Sequence, residues 1–317
     1  MNRMAPTKVV LASPRGYCAG VDRAVDTVER ALDHFGPPVY VRREIVHNRH
    51  VVAELTGRGA VFVESEEDVP KGAVLVLSAH GVAPEVHVRS AARELRVMDA
   101  TCPLVTKVHA EARRFAERGY TIVLVGHAGH EEVVGTMGEA PDAILLVESI
   151  ADVDGLEVPD PMRVAYITQT TLSVDETVEI IAALRRRFPA AVGPKRDDIC
   201  YATQNRQNAV KRLASEVDLV LVIGSQNSSN SNRLVEVTRE FGVPAHLIDD
   251  ERDIDPSWLE GIATVGITSG ASAPETLVDR VIDHFRAMGV GQIESQDAEP
   301  EDVHFSLPVE LRRAVGS

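Results

Sequence analysis

Short runs of apolar residues alternate with longer amphipathic segments along most of the chain. The runs are continuous in valine, isoleucine and leucine, which is typical of strands buried on both faces of a parallel sheet. A weaker strand pattern covers residues 303–307. Ten clear runs predict strands at residues 8–12, 39–42, 60–63, 73–77, 121–125, 143–147, 163–167, 218–223, 244–248 and 264–267.

The segments between these runs carry apolar residues at helical spacing. One stripe covers 21–35 and is followed by Gly36 and two prolines, which predict the end of a helix. A second stripe covers 104–115 and ends at Gly119. Alternating strands and helices predict an α/β fold with parallel sheets. Two Ser-x-x-Glu spacings are typical of capping boxes and predict further helix starts, Ser173 with Glu176 and Ser272 with Glu275.

Composition narrows the possible partners. The 317 residues carry a formal net charge of −15, which argues against nucleic acid and anionic membranes as partners because both bind basic faces. Aromatic residues make up only 4%, so a base-stacking site is not expected. No signal-peptide pattern opens the sequence, and no apolar stretch approaches the roughly 18 residues of a membrane span. We therefore expect a cytoplasmic protein.

Three cysteines occupy equivalent places in this pattern. Cys18, Cys102 and Cys200 each stand where a turn leads into a predicted helix, 84 and 98 residues apart. An odd number without a close pair fits neither a disulfide framework nor the paired ligands of structural zinc. A helix N-terminus favours the thiolate. The cysteines are therefore either buried structural thiols or three ligands, one from each repeated unit, to an iron–sulfur cluster with an open iron.

Polar side chains follow many of the predicted strands, where ligands of α/β sheets bind. Hydroxyl, amide and imidazole groups near helix N-termini suit a phosphate or diphosphate. Individual residues also have structural interpretations, since Ser173 and Ser272 can cap helices and the segment 225–232 can lead into another cap. The candidate site residues are His47, His80, His130, Glu132, Thr170, Ser228, Ser229, Asn230 and Ser272.

Longer motifs between residues 9 and 311 resemble one known family, the 4-hydroxy-3-methylbut-2-enyl diphosphate reductases, or LytB family. Glu131 and Val134 depart from its usual pattern, which commonly has proline and an acid at these places, and Glu131 adds a competing carboxylate beside Glu132. The motifs include Pro-Arg-Gly-Tyr-Cys at 14–18, Asp-Ala-Thr-Cys-Pro at 99–103, Asp-Ile-Cys-Tyr-Ala-Thr at 198–203 and Ser-Gln-Asn-Ser-Ser-Asn at 225–230.

The resemblance implies an α/β fold of three lobes, a pseudo-threefold arrangement of small, mostly parallel-sheet domains around a central iron–sulfur cluster. It also implies a [4Fe–4S] cluster with one open iron, held by Cys18, Cys102 and Cys200. The lobes are expected at 14–98, 99–194 and 195–291, the last with the N-terminal strand of 1–13, followed by an acidic linker and tail at 292–317.

The resemblance further implies a two-electron reduction that removes the hydroxyl of an allylic diphosphate as water. The products are isopentenyl and dimethylallyl diphosphate, in the last step of the non-mevalonate isoprenoid pathway. Glu132 is expected to deliver protons, with Thr170 positioning the hydroxyl and joining the proton relay and His130 beside them. A ferredoxin or flavodoxin is expected as electron donor. The residues implied to hold the diphosphate are His47, His80, His130, Ser228, Ser229, Asn230 and Ser272.

Two other functions remain open from the residues alone. A metal-free thiol enzyme acting on a phosphorylated metabolite would need only one of the three cysteines. A non-catalytic protein that binds phosphorylated ligands would need neither a metal nor Glu132.

Overall fold

The computed structural model describes residues 6–297 and 301–316. Parts of the predicted N-terminal segment 1–13 and of the predicted linker, namely residues 1–5 and 298–300, and also residue 317, lie outside the described residues. No helix in the described ranges is long and apolar enough to cross a membrane.

The described residues form strands that alternate with helices, as the sequence predicts. The strands are β1 (Lys8–Leu11), β2 (Val39–Arg42), β3 (Ala60–Val63), β4 (Val74–Leu77), β5 (Arg96–Asp99), β6 (Thr121–Val125), β7 (Ile144–Val147), β8 (Val164–Thr168), β9 (Leu219–Ile223), β10 (Ala245–Ile248), β11 (Thr264–Ser269) and β12 (Gln292–Ser295). The α-helices are α1 (Ala19–Phe35), α2 (Arg49–Gly57), α3 (Pro84–Ala92), α4 (Pro103–Glu117), α5 (Glu131–Met137), α6 (Ile150–Gly155), α7 (Val174–Arg187), α8 (Tyr201–Ala214), α9 (Ser229–Glu240), α10 (Glu275–Ala287) and α11 (Val309–Val315).

The chain divides into two compact units. The first unit contains one parallel sheet and the second contains two, so the predicted α/β class with three parallel-sheet lobes is confirmed. The first unit comprises Met1–Ala19, His47–Val51 and Tyr201–His304, and the second comprises Gly20–Val46, Val52–Cys200 and Phe305–Ser317.

The sheet of the first unit has the strand order β10-β9-β11-β1-β12. Its strands are parallel, and Lys8 of β1 pairs with Thr264 of β11 and with Gln292 of β12. Successive residues of β1 enter different cores, Val9 on one face and Val10 on the other. Burial on both faces explains why the strand sequences are continuously apolar.

The second unit has two smaller parallel sheets. One has the order β3-β2-β4-β5 and the other the order β7-β6-β8. In β6, Ile122 and Val123 again enter cores on opposite faces. Because neighbouring strands are parallel, the carboxyl ends of the strands in each sheet share one edge, and the predicted site residues follow these ends.

Three of the four helix ends and caps that the sequence predicts are found in the structure. Gly36 follows α1 and Gly119 follows α4, both with positive φ, and the Ser173 side chain accepts the N–H of Glu176 at the start of α7. The predicted capping role of Ser272 is wrong. Helix α10 begins after an extended Pro274 with no side-chain cap, because Ser272 lies two residues earlier and its hydroxyl bonds elsewhere.

Three strand assignments differ from the sequence prediction. Strands β5 and β12 were not predicted, because β5 has a charged residue at each end and β12 contains Ile293 as its one apolar residue. The strand predicted at 303–307 is absent from the described residues. This stretch pairs with no strand there, and the carbonyl of Ser306 accepts a hydrogen bond from the Arg23 side chain instead.

Candidate active site

None of the three cysteines forms a disulfide bond, and each is half-buried and placed at a helix start. Cys18 directly precedes α1, and its N–H donates to the Ala271 carbonyl at 3.3 Å within the first unit. Cys102 is the N-cap of α4, and Cys200 directly precedes α8. The predicted position at a helix start is therefore confirmed for each cysteine.

Backbone hydrogen bonds link two of these cysteines to predicted site loops of the second unit. The Cys102 N–H donates to the carbonyl of Ala79, the residue before His80, at 3.0 Å. The Cys200 N–H donates to the carbonyl of Thr170 at 3.1 Å. Each thiol of this unit is thus held at a fixed place relative to one of the candidate side chains.

Glu132 is a buried carboxylate at the start of α5, with 2% of its surface exposed. Its Oε1 accepts the backbone N–H of Thr170 at 2.7 Å, and its Oε2 accepts the Thr170 hydroxyl at 2.9 Å. Burial raises the pKa of Glu132 to about 7, helped by the charge of Asp198 and opposed by the hydrogen bonds from Thr170. Glu132 can therefore hold or release a proton near neutral pH.

His130 caps α5 with its imidazole ring. Its Nδ1 accepts the N–H of Glu132 at 3.2 Å. In a neutral imidazole one nitrogen accepts and the other donates, so Nε2 of His130 carries the proton and can donate to an anion. The ring of His80 lies edge-on to that of His130, with centroids 5.9 Å apart. The second unit thus brings two imidazoles close to the Glu132 carboxylate.

Glu131 stands where the family commonly has proline, and its carboxylate does not share the partner of Glu132. Its Oε2 lies 3.4 Å from Nδ1 of His80, and its Oε1 lies 3.7 Å from Nη1 of Arg43. Glu132, in contrast, bonds Thr170 through both oxygens. The two adjacent carboxylates therefore serve different neighbours.

The sequence did not predict the ion pair between Lys107 and the buried Asp198, which lies two residues before Cys200. The Asp198 carboxylate accepts one hydrogen bond from the ammonium of Lys107 and one from the N–H of Thr168, each at 3.0 Å. Burial raises the pKa of Asp198, although the positive charge of Lys107 opposes this. The sequence hints at this pair only through the motif at 198–203, which contains both Asp198 and Cys200.

The first unit gathers the hydroxyl candidates. The Ser272 hydroxyl donates to the carbonyl of His47 at 2.9 Å and lies 3.5 Å from the hydroxyl of Ser228. Ser228 caps α9, as its oxygen accepts the N–H of Ser231 at 3.3 Å. Nδ1 of His47 lies 3.4 Å from the amide nitrogen of Asn227.

Asn230 connects this group to the Cys18 turn. Its side-chain oxygen accepts the N–H of Ala271 at 3.0 Å, and the Ala271 carbonyl accepts the N–H of Cys18. Its amide nitrogen lies 3.4 Å from the hydroxyl of Thr203. Ser229 is the first residue of α9 and is half-buried. The first unit therefore brings together Cys18, His47, Ser228, Ser229, Asn230 and Ser272.

Arg206 is a fully buried cation of the first unit that the sequence reasoning also missed. Its guanidinium donates to the carbonyl of Gly16 at 2.7 Å and to that of Tyr17 at 3.3 Å, in the turn before Cys18. Glu301 lies 3.2 Å from it and balances its charge. No hydrophobic or motif signal marks this arginine, because it lies in the middle of the amphipathic α8.

The two groups of side chains differ in chemistry. Those of the first unit are hydroxyl, amide and imidazole groups, which can bind an anion through hydrogen bonds. Those of the second unit include a carboxylate that titrates near neutral pH, which suits proton transfer. Cysteines without a disulfide bond occur in both units.

Comparison with known proteins gives a consistent result. A family model described as "LytB protein" matches residues 9–286. The 4-hydroxy-3-methylbut-2-enyl diphosphate reductase of Acidothermus cellulolyticus is 60% identical over 307 residues, which cover 96% of this chain and 90% of the relative. The enzyme of the same name from Mycolicibacterium paratuberculosis is 61% identical over 308 residues, covering 97% and 93%.

Two solved structures of such reductases also match this chain. The E-1-hydroxy-2-methyl-but-2-enyl-4-diphosphate reductase of Plasmodium falciparum matches with a TM-score of 0.95 and 37% identity, over 98% of each chain. A structure of (E)-4-hydroxy-3-methyl-but-2-enyl diphosphate reductase, described as the terminal enzyme of the non-mevalonate pathway, matches with a TM-score of 0.63 and 31% identity, over 90% of this chain and all of that one. The family match and the identities together establish that this chain belongs to the LytB family of 4-hydroxy-3-methylbut-2-enyl diphosphate reductases.

Proposed function

We propose that this chain reduces (E)-4-hydroxy-3-methylbut-2-enyl diphosphate to isopentenyl and dimethylallyl diphosphate, the last step of the non-mevalonate pathway. Two electrons and two protons break the allylic C–O bond, form a C–H bond and release water. The observation that carries the proposal is the buried Glu132–Thr170 pair, whose Thr170 carbonyl accepts the N–H of Cys200. A protonatable carboxylate is thereby positioned beside the turn that carries Cys200.

The cysteines fit the cofactor of this family, which binds an iron–sulfur cluster. Cys18, Cys102 and Cys200 form no disulfide, are half-buried and are placed at helix N-termini, where thiolates, the ligands of such clusters, are favoured. We assign all three as ligands of one [4Fe–4S] cluster with one iron left open. When bound, this cluster supplies the electrons and a Lewis acid for the departing hydroxyl.

We assign proton transfer to the second unit. Glu132 holds a proton near neutral pH because of its burial. The Thr170 hydroxyl donates to the carboxylate when Glu132 is ionised and can accept from the carboxyl group when Glu132 is protonated. Thr170 can therefore pass a proton between Glu132 and the substrate hydroxyl, which it also positions. His130 fixes the start of the helix that carries Glu132.

We assign diphosphate binding to hydroxyl, amide and imidazole groups. In the first unit the Asn230 side chain is held by the N–H of Ala271 and the Ser228 side chain by the N–H of Ser231, so little ordering is needed when an anion binds. A ferredoxin or flavodoxin is the proposed electron donor. The proposed diphosphate ligands are His47, Ser228, Ser229, Asn230 and Ser272 in the first unit, and His80 and His130 in the second.

The proposal is tested by anaerobic purification followed by iron and sulfide analysis, a visible spectrum and a turnover assay. We expect a brown protein with about four irons per chain that consumes the hydroxylated diphosphate when a chemically reduced dye supplies electrons. Serine replacement of each cysteine in turn is expected to remove both colour and activity. A colourless chain after cluster reconstitution, or activity lost in only one of the three variants, would contradict it.

A further inference from the structure

The second unit carries a positively charged face, although the chain has a net charge of −15. Two grooves, of about 240 and 540 Å³, are lined by five cationic side chains and by Asp197 as their single acid. We refer to the lining of these two grooves as the basic face. Its cations are Arg114, Arg118 and Lys195 in the smaller groove and Arg185 and Arg186 in the larger.

The two grooves flank one edge of the β7-β6-β8 sheet, because α4 packs on one face of the sheet and α7 on the other. Tyr166 lines the larger groove and donates its backbone N–H to the carbonyl of Val192 at 2.9 Å, while Val192 and Gly193 line the smaller groove. Gly193 lies so close to the Tyr166 ring that an added Cβ would stand 2.2 Å from its Cζ atom. The segment 192–193 of the smaller groove therefore lies directly against Tyr166 of the larger groove.

Internal ion pairing does not account for these charges. Arg114 lies 3.5 Å from Glu111, and Arg185 donates to the Tyr166 hydroxyl at 2.6 Å. Within residues 6–297 and 301–316, Arg118, Arg186 and Lys195 have no carboxylate at ion-pair distance. The helix dipoles of α4 and α7 favour arginines near the C-terminal ends of these helices. They do not explain Lys195, which lies in a loop.

Apolar side chains are exposed among the cations. Val178 is 61% exposed and Val192 is 37% exposed, and both line the grooves. Arginine together with exposed apolar residues is typical of surfaces that bind another protein. The positive charge of the basic face favours an acidic partner, because complementary charge steers association and selects among partners.

The basic face continues directly into the Cys200 turn. Lys195 precedes Cys200 by five residues, so their Cα atoms are at most about 18 Å apart. Lys107 fixes the intervening segment, since its ammonium donates to the carbonyls of Arg196 and Asp197 at 2.7 and 2.9 Å. A protein bound at this face would therefore lie close to one proposed ligand of the cluster.

We propose that the basic face is the docking surface of a small acidic electron-transfer protein. The proposal rests on the reductase function proposed above, which requires two electrons. Each docked, reduced carrier gives up one electron and leaves oxidised; two such events, with two protons, replace the C–O bond by a C–H bond and release water. The remaining surface of an acidic chain repels such a carrier, which concentrates productive encounters at this face.

The test compares two triple charge reversals of equal size. The docking variant combines Arg118→Glu, Arg186→Glu and Lys195→Glu. The control variant combines Arg30→Glu, Lys71→Glu and Arg286→Glu, three exposed cations in surface ion pairs elsewhere. Turnover is measured with a reduced acidic flavodoxin, with a reduced acidic [2Fe–2S] ferredoxin and with a reduced dye, and binding of the oxidised carriers is measured by calorimetry at increasing salt.

We expect the docking variant to raise the KM for the carrier and its dissociation constant at least tenfold, and to lose most of the salt dependence of binding. Dye-driven turnover of both variants should stay within twofold of the unchanged chain, which also shows that they fold. Equal effects of the two variants would overturn the proposal. Failure of both carriers to support turnover that the dye supports would overturn docking as well, whereas failure with the dye would overturn the reductase function instead.

Discussion

Each unit buries an ionisable side chain beside a cysteine turn, and the two units compensate its charge in opposite ways. In the first, Arg206 is fully buried, pairs with Glu301 at 3.2 Å and donates to the carbonyls that precede Cys18. In the second, Glu132 is as deeply buried but bonds the neutral amide and hydroxyl of Thr170. One charge is matched by an opposite charge, whereas the other is hydrogen-bonded only by neutral groups and lies near the like charge of Asp198.

This difference decides what each side chain can do. A buried cation with an opposite charge and several carbonyl partners stays charged and fixes the backbone around it. A buried carboxylate held by neutral donors remains close to its titration point, and the pKa of Glu132 is raised to about 7 accordingly. The first arrangement is suited to holding the Cys18 turn, and the second to moving a proton.

The comparison is tested most strongly by Glu132→Gln. Glutamine keeps the shape and can still accept from and donate to Thr170, but it cannot release a proton. We expect kcat with the reduced dye to fall by about 10²–10⁴-fold, the usual contribution of a positioned general acid, with little change in the KM for the diphosphate. The measurement is steady-state kinetics on cluster-loaded enzyme, with the melting temperature as a check on folding.

Glu66→Gln is the matched control in the same unit. Glu66 is also fully buried, but hydrogen bonds from its own backbone, Arg89 and Arg42 outweigh burial and lower its pKa. We expect this variant to lose stability and keep its kcat. A Glu132→Gln variant that retains the full rate would remove proton delivery from Glu132, and the contrast between the two buried charges would then have no catalytic meaning.

The opposite side of the comparison is tested by Arg206→Met. Methionine cannot hold the carbonyls of Gly16 and Tyr17, and it leaves Glu301 unpaired. We expect the free energy of unfolding, measured by urea denaturation, to drop by about 3–5 kcal/mol, as for other broken buried pairs. The iron content of the purified chain should drop as well, because the Cys18 turn loses its support.

Arg212→Met is the control for this loss. Arg212 lies on the same helix and also donates to a backbone carbonyl, that of Ser13 at 2.9 Å, but it is exposed. We expect a change below about 0.5 kcal/mol. Equal losses in both variants would mean that burial and pairing of Arg206 carry no special weight.

The sequence predicted those parts of the molecule that local patterns determine. Continuous apolar runs located ten of the strands because parallel strands bury both faces. The strand β12 was missed because it is a mostly exposed edge strand whose sequence contains one apolar residue. The 303–307 stretch has a strand-like sequence but no ladder partner in the described residues, and pairing over long sequence distance is not written in a local pattern.

In the candidate site, too, the sequence predicted what local patterns determine and missed contacts between residues far apart in the chain. Each cysteine was recognised at a helix start because its turn and helix are local in sequence. Arg206 and the pair Lys107–Asp198 were not, since their partners lie up to 190 residues away and burial of a charge depends on the assembled core. The spacing of Ser272 to Glu275 predicts a helix cap, whereas the Ser272 hydroxyl donates to the carbonyl of His47.

A smaller effect is expected from Ser272→Ala, which removes a neutral donor of the first unit. A hydrogen bond to a charged group contributes about 1.5–3 kcal/mol, so the KM for the diphosphate should rise at least tenfold while kcat changes little. Ser215→Ala, which removes an exposed hydroxyl bonded to the Arg212 carbonyl in the same unit, should leave the KM unchanged. A fall in kcat at constant KM would move Ser272 from binding to chemistry.

The smallest expected effect is the pH dependence of kcat, which changes the charge of Glu132 without a substitution. Burial also raises the pKa of Asp198 in the same unit, so Glu132→Gln serves as the control. With a pKa of about 7, the protonated fraction falls from one half at pH 7 to about one eleventh at pH 8, and only the protonated form delivers a proton. We expect dye-driven kcat to fall about fivefold over this interval and to rise towards a plateau below pH 6. The remaining rate of Glu132→Gln should lack this decline, because glutamine does not titrate. A decline of equal size in that variant would assign the pKa to another group, and the second unit would then hold its buried carboxylate for structure, as the first unit holds Arg206.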